Sequence, residues 1–116
     1  MEITVAGVAL DVAVADSVDE RRTGLMGVTD LGDLDGMIFL HDVAGRVSYS
    51  MQNTLIPLDI WFIDASGVIV GTAEMEPCET TLCPSYVSPE PVDRVLETPL
   101  GVYEFEVGDR VELGSS

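Results

Sequence analysis

The sequence contains no lysine, and its five basic residues, all arginines, face 21 acidic residues. The resulting net charge of −16 provides no basic track along which nucleic acid or anionic lipid could bind. The acidic residues are interleaved with apolar runs, whereas disordered acidic tails are blocks of like charge that are poor in apolar residues. We therefore expect a folded domain that does not bind nucleic acid.

So large an excess of one charge opposes folding in dilute buffer, because the acidic groups repel one another. In molar salt the screening length falls to about 3 Å, and most of this repulsion disappears. The composition thus predicts a halophilic protein with an acidic surface that folds weakly at low salt. An ordinary acidic protein is the alternative.

Long apolar runs are also missing. No run of about 18 apolar residues is present, so we predict no direct membrane insertion by this chain. A strand pattern begins immediately after Met1, which argues against a signal peptide. If an upstream anchor has been removed, an extracytoplasmic or membrane-tethered location is favoured; otherwise the protein is expected in the cytoplasm.

Histidine and cysteine are scarce, which limits the possible chemistry. A single histidine, His41, and two cysteines, Cys78 and Cys83, supply neither paired metal ligands nor a catalytic triad, so we predict no metal, no cofactor and no catalytic residue. Four residues separate the cysteines, which permits a disulfide worth about 2 kcal/mol; free thiols are the alternative. A disulfide would indicate a compartment outside the cytosol.

The apolar patterning predicts mostly strands. A chain of 116 residues fits one domain, residues 1–116, and we expect a monomer. Period-two and continuous apolar stretches predict strands at residues 2–5, 8–15, 37–40, 46–51, 58–63, 68–73, 94–97 and 107–113. Residues 77–91 contain four prolines and both cysteines, which indicates a long irregular loop. We predict a mainly β (α+β) fold, a single-domain β-sandwich or flattened barrel.

One short helix is predicted near residues 17–26. Ser17 followed by Glu20 is a capping-box pattern, and Gly27 is a plausible stop. Gly24 falls inside this helix, where it allows close approach of a neighbour. The residues expected to face the core are Val18, Leu25 and Met26.

Four sequence blocks together resemble the domain of unknown function 192 family. They are residues 20–27 (ERRTGLMG), 36–39 (GMIF), 51–59 (MQNTLIPLD) and 75–86, in which MEPC leads to CPSY. The resemblance covers nearly the whole chain and implies a compact, mostly β domain with a short helix, but no established activity. Ser50 and Gln52 stand where the family usually has an aromatic residue and a lysine, and the loss of lysine fits a haloarchaeal member.

The third block raises the question of a site, because Asn53, Thr54 and Asp59 place polar groups beside an apolar strand. One interpretation is structural: the side chains hold a bend before Pro57. The other is that they converge on a cavity and bind a polar ligand.

These two interpretations lead to three hypotheses for the function. We favour a non-enzymatic module of the cell envelope that binds a small polar ligand or a protein partner through Met51, Asn53, Thr54, Asp59 and Arg22. The second hypothesis is a hydrolase or lyase that uses Asp59 with Arg22 or His41. The third is a purely structural accessory domain.

Overall fold

The computed structural model describes residues 1–114, which form nine strands and one short helix within that range. The strands are β1 (Glu2–Val5), β2 (Val8–Ala15), β3 (Gly36–Gly45), β4 (Ser48–Tyr49), β5 (Leu58–Ile63), β6 (Ile69–Met75), β7 (Tyr86–Val87), β8 (Val92–Pro99) and β9 (Val111–Leu113), and the helix is α1 (Val18–Thr23). The predicted mainly β single domain with one short helix is confirmed.

Seven strands form one curled sheet in the order β6-β5-β8-β3-β2-β1-β9, a half-barrel. All neighbours in it are antiparallel except β2 and β3, which run parallel because the chain crosses over through α1 between them. The predicted hairpin of residues 58–63 and 68–73 is present as β5 and β6, with a bulge at Phe62 and Ile63. The half-barrel therefore has β8 and β3 near its centre.

The helix is shorter than the sequence predicts. Its capping box is present, because the Ser17 hydroxyl accepts from the Glu20 amide and the Glu20 carboxylate accepts from the Ser17 amide. The helix ends at Thr23, and Gly24 follows it with a φ of 48°. A β-carbon on Gly24 would lie 3.3 Å from the Phe39 ring, so the close neighbour there is a core side chain.

Of the three helix-region residues expected in the core, one is buried. Leu25 packs there, whereas Val18 is 60% exposed and Met26 is also exposed. The prediction for Val18 and Met26 is wrong because the helix stops too early to carry a full apolar stripe. Both side chains are left at the surface beside the candidate site described below.

Apolar side chains cover both faces of the curled sheet. One face, which we call the inner face, packs against the segment before β9 and includes Ile38, Trp61, Leu96 and Phe105. The opposite or outer face includes Phe39, Leu58, Ile60 and Val95 and is covered by Leu25 and Met51. Because successive residues of a strand alternate between faces and both faces are covered, β5 is buried at every position and β8 is buried from Val95 to Thr98.

The loop of residues 77–91 is less irregular than the sequence predicts. Its residues 86–87 form β7, which pairs with β4 in a separate two-stranded ribbon. Cys78 and Cys83 form a disulfide, with an S–S distance of 2.10 Å and a Cα–Cα distance of 5.9 Å. The segment with the third sequence block contacts the disulfide loop through a bridge between Gln52 and Cys78, and the chain after α1 through a bridge between Thr54 and Met26.

Candidate functional site

The polar cluster that raised the question of a site is held largely by its backbone. The Asn53 amide donates to the Cys78 carbonyl at 3.0 Å, and the Asn53 carbonyl accepts from the Gly27 amide at 3.0 Å. Asn53 has a φ of 59°, which asparagine tolerates better than most residues, and its side chain is exposed. Met51 is fully buried in the outer-face core. These two residues position the segment between the disulfide loop and the chain after α1.

Thr54, unlike the exposed Asn53 before it, lies inside the protein. It is buried, and it pairs with Met26 in an isolated antiparallel bridge. Its side chain lines a small recess that also involves Arg22. The structure therefore brings Thr54 and Arg22, two of the residues predicted from the sequence, to the same cavity.

Asp59 lies elsewhere. It is only 7% exposed, and one of its carboxylate oxygens accepts from the Gly101 amide at 3.0 Å. In the sheet Asp59 is paired directly with Thr98, whereas its neighbour Ile60 is paired with Glu97. Directly paired residues share a face and adjacent residues do not, so Asp59 is on the inner face, opposite the face of Glu97. Its observed contact stabilises the turn that follows β8.

An open cleft of about 550 Å³ lies on the outer side, between α1 and the chain around β4. Its volume is in the range of cavities that hold small molecules. The residues lining it are Val18, Arg21, Arg22, Met26, His41, Val47, Ser48, Tyr49, Ser50 and Gln52. Apolar and polar side chains together give the cleft the mixed lining that is typical of a binding site.

A narrower recess of about 30 Å³ continues from this cleft toward the sheet. Arg21, Arg22, Met26, Tyr49 and Ser50 line both spaces, so the two are contiguous. At its deep end, against the outer face of the sheet, the recess is lined by Phe39, Thr54 and Glu97. The recess has room for one water molecule or one small ligand group.

Glu97 is the unexpected member of this site. It belongs to β8, where it is flanked across the sheet by Met37 and Ile60 in an otherwise apolar row. The residue is 5% exposed, and its carboxyl group has no hydrogen-bond partner among residues 1–114. Burial raises the pKa of the Glu97 carboxyl from its ordinary value of 4.5 to about 8. At neutral pH the Glu97 carboxyl is therefore mostly protonated.

His41 and Tyr49 form a hydrogen-bonded pair in the cleft. The imidazole Nε2 and the phenol oxygen are 2.7 Å apart, and Tyr49 also contacts the Phe39 ring edge-on. Burial, together with the charge of Arg21, lowers the pKa of His41. Burial, together with the charge of Glu97, raises the pKa of Tyr49. Both side chains are consequently neutral near pH 7.

Two adjacent arginines supply the positive charge of the cleft. The Arg21 guanidinium is half-buried and donates to the Leu40 carbonyl at 2.8 Å, which fixes it over the sheet. Arg22 is exposed and lines both the cleft and the recess. Arg21 and Arg22 are the charged residues that line the cleft, and Asp42 and Asp93 lie near its His41.

Sequence reasoning missed Glu97 as a site residue, although a signal was present. Val95 and Leu96 are buried on opposite faces of β8, so the next position is also expected inside the protein. A glutamate at such a position is unusual, because an isolated buried carboxylate is costly. Asp59 is also an acid in a buried strand, but its carboxylate accepts a hydrogen bond from the Gly101 amide.

The geometry is that of a small β domain with a concave site on the outer face of its sheet. The family model of DUF192, described as "Uncharacterized ACR", matches residues 1–113. The chain belongs to this family, as the four sequence blocks predicted. No curated protein matches the chain.

Two solved structures are similar to this one over nearly its whole length. A protein of unknown function from Novosphingobium aromaticivorans DSM 12444 is 31% identical, with a TM-score of 0.83 over 97% of this chain and 84% of that chain. A Sinorhizobium meliloti 1021 protein, described as a "putative transcription regulator", is 30% identical, with a TM-score of 0.83 over 96% of this chain and 89% of that chain.

No helix within the described residues is both long and apolar enough to cross a membrane.

Proposed function

We propose that this protein is a non-enzymatic binding module that takes a small polar ligand in the cleft between α1 and the chain around β4. One observation carries the proposal. Glu97 lies 5% exposed at the inner end of the cleft, and within residues 1–114 its carboxyl group has no hydrogen-bond partner. A hydrogen-bond partner for this carboxyl must therefore come from the recess, and a buried acid with a shifted pKa that borders a cleft is a candidate for a ligand-binding or other functional role.

The composition of the cleft supports a small ligand over a protein partner. The space is concave, holds about 550 Å³ and narrows to the recess at Glu97, whereas protein partners bind across broad surfaces. Of the residues predicted from the sequence, Arg22 and Thr54 belong to the proposed site. Met51 and Asn53 position its wall, and Asp59 is assigned the turn after β8.

The proposed location is outside the cytosol, because the Cys78–Cys83 disulfide would persist there. We also propose that the protein is a monomer with a salt-adapted acidic surface. The description of the Sinorhizobium relative as a transcription regulator is that protein's own. With five arginines in the whole sequence, binding of nucleic acid by this chain is disfavoured.

An acid–base enzyme is the second candidate, and it is favoured by the same buried carboxyl. A protonated Glu97 near the His41–Tyr49 pair could give a proton to a bound substrate. In this version Glu97 takes the role that the sequence alone gave to Asp59. A bound compound that is recovered unchanged after long incubation favours the binding module, and one that is converted favours the enzyme.

The test is an NMR titration of the ¹⁵N-labelled protein at the lowest salt that keeps it folded. Acetate, inorganic phosphate and glycerol are added separately, as probes of three kinds of polar group. We expect at least one to shift the amide signals of Arg22, Tyr49 and Ser50 in a saturable way. Arg22→Ala should weaken that binding, whereas Arg110→Ala, a matched loss of charge far along the chain, should not. Shifts spread over the whole surface, or none, would refute the proposal.

A further inference from the structure

The recess is lined by two basic groups and one acid, which become two opposite poles once Glu97 ionises, and this combination indicates what kind of ligand fits. Arg21 and Arg22 supply positive charge and line both the cleft and the recess. Glu97 supplies the acid at the inner end of the recess. An anion alone would use the arginines and only the neutral form of Glu97, and a cation alone would have to pass two guanidinium groups.

Resting on the proposed binding function, we propose that the ligand is a small zwitterion of the amino-carboxylate class. Its carboxylate would lie against Arg21 and Arg22, and its ammonium group would enter the recess and bind Glu97. Arginine presents a planar pair of donors that matches a carboxylate. A recess of about 30 Å³ has room for an ammonium group but not for a second large substituent.

The other polar groups of the site are compatible with this orientation. Thr54 lines the recess beside Glu97, and its hydroxyl can accept a hydrogen bond from an ammonium group. Tyr49 and Ser50 line the passage between the recess and the cleft and offer further hydroxyls. The neutral His41–Tyr49 pair adds no charge that would compete with either pole.

Binding of such a ligand is coupled to a proton. Glu97 is mostly protonated at neutral pH, whereas an ammonium group requires the ionised carboxylate. Binding therefore releases the Glu97 proton to the solvent, and affinity rises as pH rises toward about 8. The other charged or titratable groups on this side are His41, Tyr49, Arg21 and Arg22, with Asp42 and Asp93 near the imidazole. The pKa of His41 is lowered from 6.5 and that of Tyr49 is raised from 10.0, so neither exchanges its proton between pH 7 and pH 8.

Four matched probes separate the possible ligand classes by calorimetry. Alanine carries both charges, lactate replaces the ammonium with a hydroxyl, propionate lacks it, and ethanolamine lacks the carboxylate. We expect alanine to bind at least about tenfold more tightly than each of the others. Its affinity should rise between about pH 6 and about pH 8, with proton release visible as a dependence on the buffer's heat of ionisation.

Variants complete the test. Glu97→Gln should weaken alanine binding by about tenfold or more and abolish the proton release, and it should affect alanine far more than propionate. Arg22→Ala should weaken both alanine and propionate, and Arg110→Ala should behave as the unmodified protein.

The possible failures are distinguishable. If lactate binds as tightly as alanine, or if affinity falls as pH rises, Glu97 acts as a neutral donor and the zwitterion is refuted, while the binding function stands. If acetate or phosphate saturates the cleft but alanine binds no more tightly than propionate, again only the ligand class is wrong. If no probe binds in either experiment, both proposals fail.

Discussion

Replacing Glu97 with glutamine should stabilise this protein, and the gain should grow as the solution becomes more alkaline. The substitution keeps the size and polarity of the side chain but removes its ability to ionise. In the folded protein the Glu97 carboxyl is buried, whereas in the unfolded chain it is in water. Folding therefore raises the pKa of this group from 4.5 to about 8.

The sign follows from which state holds the proton. Between pH 4.5 and about pH 8 the folded protein binds the Glu97 proton and the unfolded chain has released it. Stability therefore falls as pH rises through this window and levels off above it. The two pKa values differ by roughly 3.5, which corresponds to a penalty of about 5 kcal/mol when fully developed. About 2 kcal/mol of it should appear between pH 6 and pH 8.

The measurement is the free energy of unfolding in urea, at constant high salt and without reductant, from pH 6 to pH 9. His41 is the one histidine in the sequence, and burial lowers its pKa from 6.5, so its contribution to stability is lost as pH falls, not as it rises. From pH 7 upward its titration is largely complete. The unmodified protein should lose stability across this range while Glu97→Gln stays nearly flat.

Parallel curves for the two proteins would refute the reasoning. They would mean that Glu97 is ionised in the folded state and has a partner or water that compensates for its burial. A glutamine variant that is much less stable at pH 6 would refute it in another way, because a protonated acid and an amide should be nearly equivalent there.

Three further predictions concern the rest of the molecule. The unfolding temperature should climb steeply from dilute to molar potassium chloride, and a flat curve would contradict the salt-adapted reading of the −16 charge. Cys78→Ala with Cys83→Ala should lower the free energy of unfolding by about 2 kcal/mol, and reductant should then have no further effect on the variant. Asn53→Ala should cost about 1 kcal/mol in urea unfolding whereas Asn53→Gly should cost less, because the φ of 59° favours glycine; equal losses would assign the effect to the side chain.

The local features of this fold were predictable from the sequence. The capping box of Ser17 and Glu20 depends on residues three apart, and the β5–β6 hairpin depends on two apolar runs joined by a short turn. The end of the helix was not predicted correctly. Gly24 takes a positive φ under the Phe39 ring, and that contact comes from a strand 15 positions further along the chain.

The candidate site was only partly predictable because it is assembled from distant segments. Arg22 and Thr54 were chosen from the sequence and line the same recess, but nothing local indicated that Glu97 would meet them. Asp59 and Glu97 are both acidic residues within apolar strands. Which face each occupies depends on the pairing of β5 with β8, and composition does not specify that register.

The walls and the floor of the cleft belong to parts of the molecule that differ in local stability. Glu97 is anchored in β8, which is paired along its length with β3 and β5, so it opens only with the core. The rim is α1, six residues long, and a two-residue ribbon strand. Elements this short can open locally at a small cost in free energy. Amide hydrogen exchange should therefore be rapid around Tyr49 and slow at Glu97. Substitutions in α1 or the ribbon would therefore change the entrance of the cleft, and so the ligand it admits, without disturbing the sheet that carries Glu97.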